Sequence, residues 1–195
     1  MKKILLVGVV ITIIGLSAFA AEFFKHPAAK TTLPGVFDDG QILTQLANYR
    51  QWILVKPEPV IMDPRAAAAC GRAFGPNANP NPHSTRFISV YVNQPGHESM
   101  MTRREPVFPQ GSIIVKEKLN DPHAKNPELL TVMLKREPGY NIESGDWEYL
   151  VLDGSASTIR ARGRLEKCNA CHVASKASDF VDRSYLPSEV RQKLK

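Results

Sequence analysis

The chain has 195 residues, a formal charge of +6, 15 prolines, 12 glycines and three cysteines. That much proline and glycine argues against an all-helical bundle. The basic residues are scattered, with no run interleaved with aromatics, which argues against nucleic-acid binding.

The N-terminus reads as an export signal. Lys2 and Lys3 form a positive start, Ile4 to Phe19 is apolar apart from Thr12 and Ser17, and Ala18-Phe19-Ala20 is a small-x-small cleavage site. The alternative is an uncleaved anchor, since the apolar stretch is almost long enough to span a bilayer. Cleavage after Ala20 is the expectation. It leaves residues 21–39 as a short lead and about 175 residues in all, the size of one domain. The two lost lysines lower the charge to about +4, a mildly basic surface suited to an acidic redox partner.

Asp38-Asp39-Gly40 offers a helix N-cap, and Ile42, Leu43, Leu46, Tyr49 and Trp52-Ile53 come after it at helical spacing. The spacing predicts a helix over 40–53 with Trp52 in the core and Arg50 solvated. Pro57, Pro59 and Pro64 break up the next stretch of chain. Ala66 to Ala69 suggest a packed helical turn before Cys70, the odd cysteine. In an oxidising compartment it either pairs between chains or sits buried and inert; the second is the expectation. Residues 75–82 are a Pro/Asn loop.

Phe87 to Val92 is aromatic and β-branched and predicts a strand closed by a turn at Asn93-Gln94-Pro95-Gly96. Ser112 to Leu119, Leu129 to Arg136 and Asp146 to Leu152 predict three more strands, separated by turns or by the polar loop 120–128. Successive strands with such connections pair antiparallel. The expected class is α+β, mainly β: a twisted antiparallel sheet flanked by helices and by a C-terminal segment. Gly163 to Lys167 should begin a short helix, and Pro187 a final one.

Between those last two elements lies Cys168-Asn169-Ala170-Cys171-His172, the Cys-x-x-Cys-His sequence of c-type haem attachment. Two thiols one helical turn apart reach two vinyl groups on one porphyrin edge, and the next residue brings an imidazole under the iron. A chain of this composition meets the pattern by chance about once in a thousand. A thioredoxin-like dithiol would want a βαβ setting and no histidine. A zinc site would want a second ligand pair, and only Cys70 remains. The expectation is one covalently bound haem c, on Cys168 and Cys171, with His172 as proximal iron ligand.

Four segments in order resemble the cytochrome P-460 family: Phe87–Asn93, Phe108–Leu119 (FPQGSIIVKEKL), Val132–Tyr149 (with GYNIESGDWEY) and Gly163–His172. The similarity covers roughly residues 40–187, within a haem domain spanning 40–195. The resemblance implies a periplasmic, usually homodimeric, mainly β protein with a five-coordinate haem. Such proteins oxidise hydroxylamine to nitric oxide or nitrous oxide and pass electrons to an acceptor, here expected to be another c-type cytochrome. It also implies that Lys116 is the lysine cross-linked to the porphyrin. A sister group, cytochrome c′-beta, lacks that link and binds nitric oxide.

On strand alternation alone, Lys116 shares a face with Ile114, opposite to Ile113, Val115 and Glu117, and the pattern demands no haem contact. The distal carboxylate of the hydroxylamine-oxidising members should fall near Thr131 to Met133, where no acid stands; Glu128 and Glu137 are only nearby. Met133 in a distal pocket would make it apolar, which suits a neutral gas. Three functions are ranked in this order: oxidation of hydroxylamine or a related nitrogen compound, nitric oxide binding without turnover, and electron transfer. The third needs a sixth ligand, for which Met100, Met101, Met133, His83 and His97 are the candidates.

Overall fold

In the computed structural model, residues 37–62 and 87–195 are described. The signal sequence, Cys70, the loop at 75–82 and His83 lie outside them. Helix α1 (Asp39–Leu46) starts on a capping box. The Asp38 carboxylate accepts from Gln41 N at 2.8 Å, and the Gln41 side chain accepts from Asp38 N at 3.0 Å. Such a cap contributes about 1 kcal/mol. Ile42 and Leu46, four apart, are fully buried, each worth about 2 kcal/mol of transfer free energy.

The helix is shorter than its periodicity suggests. A 3-10 turn at Tyr49–Gln51 comes next, and then a two-residue strand, β1 (Ile53–Leu54). Glu117 draws the chain away from the helical path. Its carboxylate, inside the sheet, accepts from the Tyr49 hydroxyl at 2.6 Å and from Arg50 Nε at 2.7 Å. Arg50 is thus ion-paired as well as exposed, and Trp52 is only partly buried against the core.

The sheet is antiparallel. Short β1 and β2 (Val60–Ile61) both pair with β3 (Phe87–Val92). Beyond β3 come β4 (Ile113–Leu119), β5 (Leu129–Lys135), β6 (Trp147–Asp153) and β7 (Ile159–Gly163), each beside the next. The four predicted strands are present, with ends within a residue or two of the expected ones. β1, β2 and β7 are additions. β7 reads Ile-Arg-Ala-Arg-Gly, an edge strand with little apolar pattern to announce it. Asn93-Gln94-Pro95-Gly96, expected as a turn, is instead the start of helix α2 (Gln94–Met101). Asn93 is its N-cap, and Pro95 sits in its first turn, where a proline loses no helical hydrogen bond.

Both faces of the sheet are covered, so β4 to β6 are buried on nearly every residue. α1 packs on the face of Ile113, Val115, Leu130, Val132, Leu134, Leu150 and Leu152. The other face carries Val90, Val92, Ile114, Met133, Trp147 and Tyr149, and the C-terminal segment lies across it. That segment contains α3 (Glu166–His172), 3-10 turns over Val173–Ser178 and α4 (Ser188–Lys193). Arg183 fastens it to the end of α2, donating to the carbonyls of Arg103 at 2.7 Å and Arg104 at 2.8 Å.

On the α1 side, buried Glu148 joins three elements. It accepts from Arg136 at 2.7 Å and Arg162 at 2.9 Å, and Arg162 reaches Asp39 at 2.6 Å. Burial pushes the Glu148 carboxyl upward, but the two guanidinium groups more than offset this, so it lies below its ordinary 4.5. A depressed carboxylate contributes stability that is full above 4.5 and lost as the pH falls through its folded value. Glu148→Gln should therefore cost about 2 kcal/mol at neutral pH, since it takes the buried carboxylate from two arginines, which keep only Glu137 and Asp39. It should also flatten the acid limb of the stability curve; urea unfolding at stepped pH measures both.

Candidate functional site

Two cross-strand rows on the C-terminal side of the sheet form the floor of a cavity. One row is Ile114, Met133 and Tyr149; the next is Lys116, Thr131 and Val151. The roof comes from the C-terminal segment: Cys168 and His172 of α3, then Val181, Asp182 and Tyr185. The space amounts to about 580 Å³ with the open solvent at its mouth included. Cys168, Lys116, Met133 and His172, as many as 56 residues apart in sequence, thus line one pocket.

α3 contains the whole Cys-x-x-Cys-His sequence, so Cys168, Cys171 and His172 stand at i, i+3 and i+4 on one helical face. Cys168 is a free thiol, pushed up to about 11 by burial. That is opposite to the lowered thiol of a redox-active dithiol. Among the described residues no three His, Cys, Asp or Glu side chains converge as a metal cluster. Cys171 is disulfide-bonded in this structure, and a thioether at its sulfur requires that bond to be reduced first.

His172 is prepared as a ligand. Its Nδ1 lies 2.7 Å from the Phe180 carbonyl oxygen. A carbonyl can only accept, so Nδ1 carries the proton and Nε2 keeps its lone pair. Burial, with the nearby Lys116 charge adding to it, holds the imidazole down to about 4, so it is neutral near pH 7. The Tyr149 ring lies 5.2 Å away at 43°. Its hydroxyl is in turn hydrogen-bonded to Ser144 Oγ at 2.7 Å.

The Phe180 carbonyl is aimed by an uncommon backbone. Asp179 and Phe180 have φ of 51° and 63°, in the left-handed region at two successive non-glycine residues. Each such residue costs about 1 to 3 kcal/mol. The Asp179 side chain holds them there, taking Lys135 Nζ at 2.6 and 2.8 Å and Phe108 N at 2.8 Å. The Asp179 carbonyl accepts from Trp147 Nε1 at 2.7 Å. Gly145, itself at φ 62°, sits so close that a Cβ would lie 2.6 Å from the Phe180 ring. Asp179→Ala should cost about 3 kcal/mol, because it leaves the poorly exposed Lys135 unpaired. It should also free His172 to rotate, so that the spectrum of the haem-loaded variant reports more than one iron environment.

The segment Gly139–Tyr149, visible in sequence as a family marker, is the scaffold under this loop. Asp146 Oδ1 accepts from the backbone of Gly139 at 3.1 Å and Asn141 at 2.8 Å. The Asn141 side chain then donates to the Trp147 carbonyl at 3.0 Å and to Asn169, between the two motif cysteines, at 3.2 Å. Trp147 is fully buried, edge-on to Phe108 with ring centres 5.4 Å apart.

Lys116 enters the cavity wall with Ile114, as alternation requires. Its Nζ lies 5.2 Å from the centre of the Tyr185 ring. Burial lowers its pKa, partly offset by Asp182. Two residues on, Lys118 is fully buried, and its pKa falls further through burial and the Lys116 charge. Met133, 8% exposed, lines the cavity. Among the other sixth-ligand candidates, Met100 is fully buried in the hydrophobic cluster, and neither it, Met101 nor His97 lines the cavity.

No acid lies in the cavity wall at 131–133, but Asp182 does. Sequence reasoning missed it: Val-Asp-Arg-Ser carries no periodicity, and Asp182 lies 66 residues beyond Lys116.

No curated protein matches this chain. The sequence model of one protein family, described as Cytochrome P460, matches residues 46–182.

Proposed function

The chain belongs to the cytochrome P460 family, a family of c-type haem proteins, and from that premise we propose that it oxidises hydroxylamine or a related small nitrogen compound at a five-coordinate haem. The observation that carries this reading is the meeting of Lys116, Cys168 and His172 in one cavity. Cys168 and Cys171 are the thioether residues and His172 the iron ligand. Haem, when bound, supplies an iron that coordinates the nitrogen compound and takes electrons from it.

The chain's own residues do the rest. The Phe180 carbonyl fixes the tautomer of His172 and makes Nε2 a better donor. Ile114 and Met133 exclude water from the floor. Oxidation of hydroxylamine releases protons, and the Asp182 carboxylate, in the roof of the same cavity, accepts them. Lys116, with its charged form disfavoured by burial, is the amine that bonds to the ring; its nitrogen replaces a ring C–H hydrogen, and the two electrons and two protons released go to the electron acceptor and to solvent. The export-type N-terminus supports a periplasmic location; a homodimer, with a second cytochrome as electron acceptor, completes the proposal.

The apolar pair Ile114 and Met133 favours a second reading, nitric oxide binding without turnover. One measurement separates the two: hydroxylamine-dependent reduction of an electron acceptor by purified, haem-loaded protein. Turnover with a red-shifted, broadened Soret band in the ferrous state supports the enzyme. Nitric oxide binding with an ordinary Soret band and no turnover supports the second reading.

A further inference from the structure

A second cavity adjoins the first. Lys116, Asp182 and Tyr185 line both, whereas Cys168 and His172 line only the first. The second therefore opens away from the motif cysteines. It is the larger, about 1010 Å³ with the open solvent at its mouth included, and its wall is polar where the first is apolar. Lys56 and Arg191 are its added charged groups, and Ser184 and Ser188 its hydroxyls. Lys56 makes no ion pair among the described residues, and Arg191 only donates to the Ser184 carbonyl at 3.3 Å.

A c-type haem has a polarity of its own. Its vinyl edge is fixed at the two cysteines, and its two propionates project from the edge across the ring. In the charge of the wall, with Lys116 committed to the ring, Lys56 and Arg191 stand against Asp182, a surplus of one positive charge facing a group that carries two negative ones. We propose that this second cavity is the propionate site, with Lys56 and Arg191 as the anchoring cations. The inference rests on the haem reading above and goes beyond it: it orients the cofactor and assigns two residues that the attachment motif does not mention. Lys116 and Tyr185 then mark the boundary between the ring and its carboxylates.

The test uses secreted holoprotein, wild type against Lys56→Met/Arg191→Met, with Arg191→Lys as the conservative variant. The reduction potential is followed by spectroelectrochemistry as a function of pH. The titratable groups facing the propionates are Lys56, Arg191, Asp182 and Tyr185, Lys116 being bonded to the ring. Loss of two cations should move the propionate break in the potential-against-pH curve up by about one unit, a tenfold tighter hold on the proton, and lower the potential at pH 7. Arg191→Lys should keep the wild-type curve. Arg191 is exposed, so Arg191→Met alone serves if the double variant does not load haem, with a smaller shift in the same direction expected. An unchanged break in a fully loaded variant overturns the propionate assignment and leaves the haem reading standing. A pyridine haemochrome assay on the same wild-type sample that finds no covalent haem overturns both.

Discussion

A chain carrying Cys168→Ala together with Cys171→Ala should be recovered with almost no haem. His172 alone offers the iron one neutral nitrogen, and the rest of the first cavity holds a ring only by apolar contact with Ile114, Met133, Tyr149 and Val181. Two thioethers turn that weak association into a permanent one. In the wild type, haem should stay with the polypeptide through acid-acetone extraction and denaturing electrophoresis; colour that leaves with the solvent defeats the covalent reading. Cys171 adds a condition. Because its sulfur is disulfide-bonded in this structure, haem loading of the purified apoprotein should need a thiol reductant and stall without one. Loading at the same rate with and without reductant would show that this disulfide plays no part.

Lys116→Leu should abolish hydroxylamine oxidation, keep nitric oxide binding and leave the fold intact. The side chain is half-buried beside Tyr185, in a wall that also holds Ile114, so a leucine of similar length fits the surroundings. An amine attacks carbon only as the free base, and burial here shifts the equilibrium that way. Digestion of the wild-type holoprotein should yield a haem carrying two peptides, one with Cys168 and Cys171 and one with Lys116; the variant should yield one peptide and an ordinary c-type spectrum. The bond also has a thermodynamic signature. An unbonded Lys116 has a folded pKa below its unfolded 10.5, so it binds fewer protons when folded, and stability rises as the pH climbs toward 10.5. Bonded to the ring, it no longer titrates there, and wild type and variant should show the same alkaline slope. An unmodified Lys116 peptide from fully loaded protein would favour gas binding over oxidation.

The range of each interaction decides whether the sequence makes it legible. The four long strands announced themselves because each is a run of β-branched and aromatic residues ended by Gly, Pro or Asn. The attachment motif was legible because its chemistry lies within five consecutive residues. Strand alternation put Lys116 on the face of Ile114, and pairing the strands brought Met133 and Tyr149 onto that face. Local propensity misled where a distant partner outweighed it. The helical pattern through Tyr49 yields to Glu117, 68 residues on, and the apparent turn at Asn93–Gly96 becomes a helix start because Asn93 also binds the backbone of Gly111 and Ile113. Tertiary structure alone decided the support of His172. Two left-handed residues, an ion pair between Lys135 and Asp179, and a glycine that lets them close join segments 34 to 44 residues apart. It also set Asp182 beside Lys116 and opened the polar cavity beyond them. No period of two or 3.6 residues encodes such a meeting; it exists only once the C-terminal segment lies across the sheet and buries the apolar rows beneath it.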